Sequence, residues 1–126
     1  MPILDIQLVG DPEPSIRSDL AHRLAEAAGR VLQSRPNGTW VKVTILPKHD
    51  YAENGSDPDD STDSVLPVFV SIIKRHLPPP DQLATEATSL THAIAEVCQR
   101  PAENVHLIYQ PPGAGRVVFG GVVVGS

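Results

Sequence analysis

The sequence predicts an α+β domain of two layers, in which tandem β-α-β units form a four-stranded sheet with two helices on one face. Three observations support this prediction: short apolar runs typical of strands, amphipathic helical patterns between them, and landmarks that recur at one fixed spacing. The chain has 126 residues, of which 40% are hydrophobic, and this size suits a single domain over residues 1–126.

Each unit is predicted to open and to close on a strand. The runs 3–9 and 68–73 open the units, and the runs 40–46 and 105–109 close them. Short runs of this kind, rich in Val, Ile and Leu, are typical of strands buried on at least one face. Because apolar residues recur on both faces of these strands, we expect the face without helices to contact another subunit.

One amphipathic helix is predicted between the two strands of each unit. Proline-containing turns at 11–14 and 77–81 precede the helices, and proline is typical of the first helical turn. Apolar residues then recur every three or four positions, which places one stripe of each helix toward the core. The stripes consist of Ile16, Leu20, Leu24, Ala27 and Val31 in the first helix and of Leu83, Ala87, Leu90, Ile94 and Val97 in the second.

Matching landmarks lie 65 residues apart in the two units. Pro2 matches Pro67 at the start of each unit, and Arg35 matches Arg100, each followed by a proline near the end of a helix. Several matches at one offset, together with matching helices, predict an internal repeat.

The repeat defines the predicted organisation of the chain. The units lie at about 2–55 and 67–121, and the acidic segment 54–64 between them lacks a large apolar residue. Such a segment is predicted to be a solvated linker. The β-branched tail at 116–124 is predicted to form a short edge strand that pairs with a neighbouring subunit.

Composition and charge argue against several classes of function. The formal net charge of −5 argues against nucleic acid and anionic membranes as partners. No run approaches the roughly 18 apolar residues of a membrane-spanning helix, and no secretory signal is recognised, so we expect a cytoplasmic protein. The histidines have no metal-ligand spacing, and the glycines form no phosphate-binding motif. Cys98 lies in a helical apolar pattern and is predicted to be a buried thiol.

Pro2 is the clearest candidate for a chemically reactive residue. Removal of Met1, which is usual before a small residue, leaves proline at the amino terminus with a secondary amine. An apolar pocket and a nearby cation both disfavour the charged amine and lower its pKa. A neutral amine can act as a general base, so Pro2 is a candidate catalytic residue. The nitrogen of Pro67 is part of a tertiary amide and cannot act in this way.

The order and spacing of these motifs resemble the tautomerase superfamily, which includes 4-oxalocrotonate tautomerase, macrophage migration inhibitory factor (MIF), malonate semialdehyde decarboxylase and cis-3-chloroacrylate dehalogenase. The resemblance is carried by the proline after Met1, the doubled unit, and the segments 36–45, 51–55, 100–109 and 115–121. It implies a tautomerase/MIF-like fold and a homotrimer whose sheets form a central barrel. It also implies proton transfer by the amino-terminal proline in an apolar pocket, with no metal or organic cofactor.

The resemblance assigns roles to two cations. Arg75, at the end of the third predicted strand, matches an arginine that binds the substrate carboxylate in decarboxylase-like and dehalogenase-like members. A guanidinium can hold a carboxylate with two parallel hydrogen bonds. Lys42 matches the arginine that polarises the substrate in tautomerase-type members, and His106 is its counterpart in the second unit. The structural alternatives are a solvated arginine at a strand end and a lysine that extends into solvent.

Four further residues are candidates for substrate binding. Tyr51 falls where the family often places an aromatic side chain that shapes the pocket and excludes water, and Lys74 lies beside Arg75 at the rim. Tyr109 and Phe119 are candidates for the pocket wall of a neighbouring subunit. Plain packing is the alternative for the aromatic residues.

The sequence also departs from the family pattern. No cation lies at 10–12, where the tautomerase pattern has an arginine, and this argues against a substrate with two carboxylates. The additional His and Glu of the dehalogenase are absent, so proton transfer is expected rather than hydrolytic dehalogenation. We therefore expect an isomerase that catalyses keto–enol tautomerisation of a small enol or α-keto carboxylate. A decarboxylase or dehalogenase acting on a three-carbon acid, and a non-enzymatic trimeric binding module, are the alternatives.

Overall fold

The computed structural model describes residues 2–57 and 61–125. The main sheet consists of β1 (Ile3–Val9), β2 (Trp40–Leu46), β3 (Val68–Ile73) and β4 (Val105–Tyr109), in the spatial order β2-β1-β3-β4. The pairs β1–β2 and β3–β4 are parallel, and β1 pairs with β3 in antiparallel orientation at the centre. Parallel neighbours need a crossover connection, and in both units this connection is helical. The predicted fold class is confirmed.

The helical segments differ between the two units. They are α1 (Pro14–Arg17) and α2 (Leu20–Val31) in the first unit and α3 (Pro80–Cys98) in the second, where the single predicted helix is confirmed. The single helix predicted for the first unit is wrong, because Asp19 adopts a φ of 53° and separates α1 from α2. This left-handed conformation interrupts a right-handed helix.

The core lies between the helices and one face of the sheet. It is formed by alternate residues of the central strands and by the apolar stripes of the helices. The largest buried side chains are Leu4, Ile6, Leu8, Val68, Val70, Ile72, Leu20, Leu24, Leu90 and Ile94. Burial of each such side chain stabilises the fold by about 1.5–3 kcal/mol. Cys98 is buried as predicted, and burial raises the pKa of its thiol to about 11.

The open face of the sheet, without helices, is more polar than predicted. Successive side chains of a strand point to opposite faces, and the buried residues of β1 and β3 mark the face covered by helices. The polar residues on the open face are Asp5, Gln7, Lys42, Thr44, Ser71 and His106. Phe69, Ile73 and the exposed Ile108 share this face with them, so apolar residues do occur on both faces, and the open face is mixed rather than uniformly apolar.

The tail forms a hairpin rather than the single edge strand predicted for 116–124. Its strands are β5 (Val118–Phe119) and β6 (Val122–Val123), which pair in antiparallel orientation. Gly120 and Gly121 join them with φ values of 54° and 90°. Positive φ at both central residues is what a tight hairpin turn requires, and glycine adopts it at low cost.

The predicted linker is exposed over most of its described residues, and its residues 58–60 lie outside the described part of the chain. A short 3₁₀ turn at Asp63–Val65 ends it before β3. In the described part of the chain, no helix is both long and apolar enough to cross a membrane.

Candidate active site

Pro2 lies one residue before β1, at the end of the sheet where β2 begins and β3 ends. Its carbonyl oxygen accepts a hydrogen bond from the backbone N–H of Trp40 at 3.0 Å. Ile3 is the antiparallel partner of Ile73, so the half-buried Pro2 lies opposite Lys74, the residue after β3. The sheet therefore places Pro2 opposite Lys74, and Arg75, the next residue along the chain, follows at the same end of the sheet.

Lys74 is part of a half-buried ionic cluster that sequence reasoning did not find. Its Nζ lies 2.6 Å from Oε1 of Glu86 on α3. The hydroxyl of Tyr109, at the end of β4, donates a hydrogen bond to Oε2 of the same carboxylate at 2.8 Å. Burial, followed by the hydrogen bond and charge of Glu86, raises the pKa of Tyr109 well above its usual value. We call Lys74, Glu86 and Tyr109 the Glu86 cluster.

Arg75 follows Lys74 directly and is exposed. Backbone hydrogen bonds tie this segment to the tail: the carbonyl of Lys74 accepts from the N–H of Gly113 at 2.7 Å, and that of Arg75 accepts from Ala114 at 3.2 Å. Among the described residues, Arg75 has no carboxylate within ion-pair distance. Its guanidinium is thus available to a carboxylate ligand.

Lys42 lies on the open face of the sheet, away from the Glu86 cluster. Its Nζ is 3.1 Å from Oδ1 of Asp5, its neighbour across β1 and β2. Both side chains are largely exposed, at 70% and 59%. Such a pair contributes little to stability, and either partner can exchange it for another ion.

The tail brings Phe119 to the same end of the sheet as Pro2. The rings of Phe119 and Trp40 meet edge to face, with centroids 5.0 Å apart. The indole N–H of Trp40 donates to the carbonyl of Asn37 at 2.9 Å, which fixes the orientation of the ring. Trp40 is 51% exposed, and it was missed as a site residue because an aromatic residue at the start of a strand is usually a packing residue.

Tyr51 lies at the opposite end of the sheet from Pro2. Its ring centroid is 5.8 Å from that of Phe69, and its hydroxyl donates to Glu53. Burial, followed by this carboxylate, raises the pKa of Tyr51 to about 12. Tyr51 lines a cavity of about 290 Å³ together with Pro67 and His106. Within one chain, Tyr51 therefore accompanies Pro67, whereas Phe119 lies at the end of the sheet that holds Pro2.

A larger groove of about 720 Å³ runs between the end of α2 and the start of α3. Glu86 belongs to its wall, and the other lining residues include Arg30, Val31, Pro78 and Gln82. Within residues 2–57 and 61–125, no group of three or more His, Cys, Asp and Glu side chains is arranged to hold a metal ion.

No protein-family model and no curated protein matches the sequence. Solved structures share its fold. A wild-type fused 4-OT that forms a symmetric trimer superposes with a TM-score of 0.76 at 10% identity, over 97% of this chain and 94% of its own. A macrophage migration inhibitory factor-like protein from Entamoeba histolytica gives 0.68 at 14% identity, over 94% of both chains. A malonate semialdehyde decarboxylase inhibited by 3-bromopropiolate gives 0.68 at 16% identity, over 94% of this chain and 88% of its own.

These structures are tautomerase superfamily proteins, and this chain has the fold that they share. The resemblance predicted from the order of the sequence motifs is confirmed at the level of the fold.

Proposed function

We propose that this protein is a cofactor-independent tautomerase in which Pro2 is the general base. The observation that carries the proposal is the position of Pro2 at the end of the sheet, opposite Lys74 in the register of β1 and β3. Arg75, the next residue along the chain, has no ion-pair partner in the part of the chain that the structure describes. The positive charge of Arg75 at this end of the sheet disfavours protonation of the amine, and partial burial acts in the same direction. An amine that is neutral at working pH can accept a proton from a small enol or α-keto carboxylate.

The proposed reaction moves one proton within the substrate. The guanidinium of Arg75 holds the carboxylate with two hydrogen bonds and places the enol hydroxyl near the nitrogen of Pro2. Pro2 accepts the hydroxyl proton and returns it to carbon, which gives the keto acid. Cations stabilise the enolate that forms between the two transfers, an effect of several kcal/mol in preorganised sites. Lys42 contributes to this only when it exchanges Asp5 for the substrate, so its share is smaller.

We further propose that the protein is a homotrimer. The fused 4-OT of the same fold is a symmetric trimer. Apolar residues that a trimer could bury are exposed on the tail hairpin, namely Val118, Val122 and Val123, and also at Trp40. Because Tyr51 lies far from Pro2 in the same chain, a role for Tyr51 in the pocket requires a second protomer.

Decarboxylation of a small β-keto acid is the second candidate function. It is favoured by one observation: Lys42 is paired with Asp5, whereas Arg75 has no ion-pair partner within residues 2–57 and 61–125. In this reaction a protonated Pro2 polarises the carbonyl group while Arg75 holds the acid. Release of CO2 from a small β-keto acid without ketonisation of phenylenolpyruvate supports the decarboxylase, and the reverse result supports the tautomerase.

The decisive experiment tests the amine itself. The untagged protein is first weighed as an intact chain, and ketonisation of phenylenolpyruvate is then measured. A matched preparation carries one additional residue before Pro2, which converts the amine into an amide and leaves the rest of the chain unchanged. We expect turnover only from the chain that begins with Pro2. Equal turnover from both preparations contradicts the proposal, and no turnover from either supports a non-enzymatic binding module.

A further inference from the structure

We propose that Glu86 determines the substrate class of this site, because it neutralises Lys74. Of Lys42, Lys74 and Arg75, only Arg75 is then without an ion-pair partner among the described residues. The site then selects acids with one carboxylate. This inference rests on the proposed function, since it concerns the charge of the same pocket.

The geometry of the Glu86 cluster makes the neutralisation effective. Nζ of Lys74 lies 2.6 Å from the carboxylate of Glu86, and the two side chains are only 18% and 16% exposed. Shielding from water and salt keeps such a pair together, whereas an exposed pair is screened. A ligand carboxylate could bind Lys74 only by displacing the carboxylate of Glu86.

Tyr109 prevents Glu86 from turning away. Its hydroxyl donates to Oε2 of Glu86, while Oε1 faces Lys74, so both carboxylate oxygens are engaged. Rotation of the carboxylate out of the cluster would break both interactions at once. Glu86 is therefore a positioning residue, which acts on the substrate through Lys74 and does not touch the reacting atoms.

The charges of the three predicted cations follow directly. Lys74 is paired with Glu86 and Lys42 with Asp5, whereas Arg75 has no ion-pair partner among the described residues. One carboxylate of a substrate can thus be held by Arg75. A second carboxylate would lose hydration and could gain Lys74 only by displacing the half-buried carboxylate of Glu86, which is unfavourable. Of these three cations, Arg75 alone can bind an acid without first displacing a carboxylate of the described residues.

The test compares two enols that differ in the number of carboxylates. Phenylenolpyruvate has one, and 2-hydroxymuconate has two. Glu86→Gln keeps the shape of the side chain and an oxygen for Tyr109 but removes the negative charge. We expect the ratio of kcat/KM for the dicarboxylate to that for the monocarboxylate to rise about tenfold, the gain from one charged hydrogen bond. The control Glu96→Gln removes the same charge from an exposed position on α3 and should leave the ratio unchanged.

A second variant separates the effect from a loss of folding. Adding Lys74→Met to Glu86→Gln removes the cation that the first change sets free, so the ratio should return to its wild-type value. An unchanged ratio in Glu86→Gln, or an equal rise in Glu96→Gln, overturns the proposal.

A binding measurement distinguishes failure of this inference from failure of the proposed function. Trp40 is the only tryptophan and lies beside Pro2, so its fluorescence can report binding of fumarate and of benzoate without turnover. If the wild type turns over neither enol but Glu86→Gln gains affinity for fumarate, the proposed function fails and the inference stands. If the protein turns over phenylenolpyruvate, but Glu86→Gln changes neither the kcat/KM ratio nor the affinity for fumarate relative to benzoate, only the inference fails. If neither acid binds to any variant, the inference fails as well.

Discussion

The two β-α-β units carry the same landmarks in opposite environments. Pro2 is half-buried at the end of the sheet, whereas Pro67 is buried within the chain. Arg35 is exposed, whereas Arg100 is 6% exposed and donates hydrogen bonds to the carbonyls of Val9, Leu66 and Gly10. A shared landmark thus specifies a similar place along the backbone but not the burial, the partners or the chemistry of the side chain.

The strands show the same difference in another form. Both opening strands bury even-numbered residues, as Leu4 in β1 and Val68 in β3 illustrate, whereas the landmarks recur at an odd spacing. A step of 65 residues therefore moves a side chain from one face of the sheet to the other. The counterpart of Lys42 on the open face is His106, 64 residues later, and it pairs with Phe69 as Lys42 pairs with Asp5. The two units share a topology, but strand residues 65 positions apart lie on opposite faces of the sheet.

Substitution of the two prolines should give the largest difference between the units. Pro2→Ala removes the secondary amine and its fixed ring, so kcat/KM for phenylenolpyruvate should fall by about 10²-fold or more, the contribution of a positioned general base. Pro67→Ala changes a residue whose nitrogen is an amide, and it should leave kcat/KM within about twofold. Steady-state kinetics of both variants, with circular dichroism to verify folding, measure this difference.

An equal loss of activity in the two proline variants would contradict the distinction between an amine and an amide. It would instead indicate that both prolines act through the fold.

The two arginines should differ in stability rather than in activity. Arg100→Met leaves three carbonyl oxygens without their guanidinium donors, so the free energy of unfolding should fall by about 3 kcal/mol. Arg35→Met alters an exposed side chain and should change it by about 0.5 kcal/mol or less. Urea denaturation monitored by circular dichroism gives both values. Comparable losses in the two variants would show that burial of Arg100 is not what stabilises this junction.

The two candidate site cations Arg75 and Lys42 should affect substrate binding to different degrees. Arg75→Ala removes a possible bidentate contact with the carboxylate and should raise KM about 10- to 100-fold. Lys42→Ala removes an exposed lysine already paired with Asp5, so the rise in KM should be about threefold. Initial-rate kinetics measure both effects. A larger effect of Lys42 would assign the carboxylate to the open face.

Periodicity explains which parts of the fold could be predicted. The strands, α3 and the buried Cys98 all follow from apolar spacing, which sets the face that a segment must bury. The break at Asp19 does not follow from spacing, because Ile16 and Leu20 lie four residues apart as they would in a continuous helix. The left-handed φ of Asp19 is what separates α1 from α2.

The candidate site was predictable only for residues that a family motif marks. Pro2, Lys74 and Arg75 lie at the same end of the sheet, as their places in the sequence indicated. Glu86 was missed, because its partners lie 12 and 23 residues away and are joined only by the tertiary fold. One signal was present: Glu86 lies three residues after Leu83 and four before Leu90, inside the apolar stripe of α3, where a carboxylate needs a partner.

The smallest expected effect is on the free energy of unfolding when glycine is introduced in the helical segments, and its sign differs between the two units. Asp19 holds a left-handed conformation and makes no side-chain cap hydrogen bond, so Asp19→Gly relieves strain at the break. Loss of its charge near the start of α2 offsets part of the gain, and the free energy of unfolding should rise by about 0.5 kcal/mol. Ala84→Gly, at an exposed position of the uninterrupted α3, should lower it by about 1 kcal/mol. Thermal and urea unfolding measure the change in the free energy of unfolding for both variants. We expect a gain for Asp19→Gly and a loss for Ala84→Gly. A loss for both variants would mean that Asp19 stabilises its own turn.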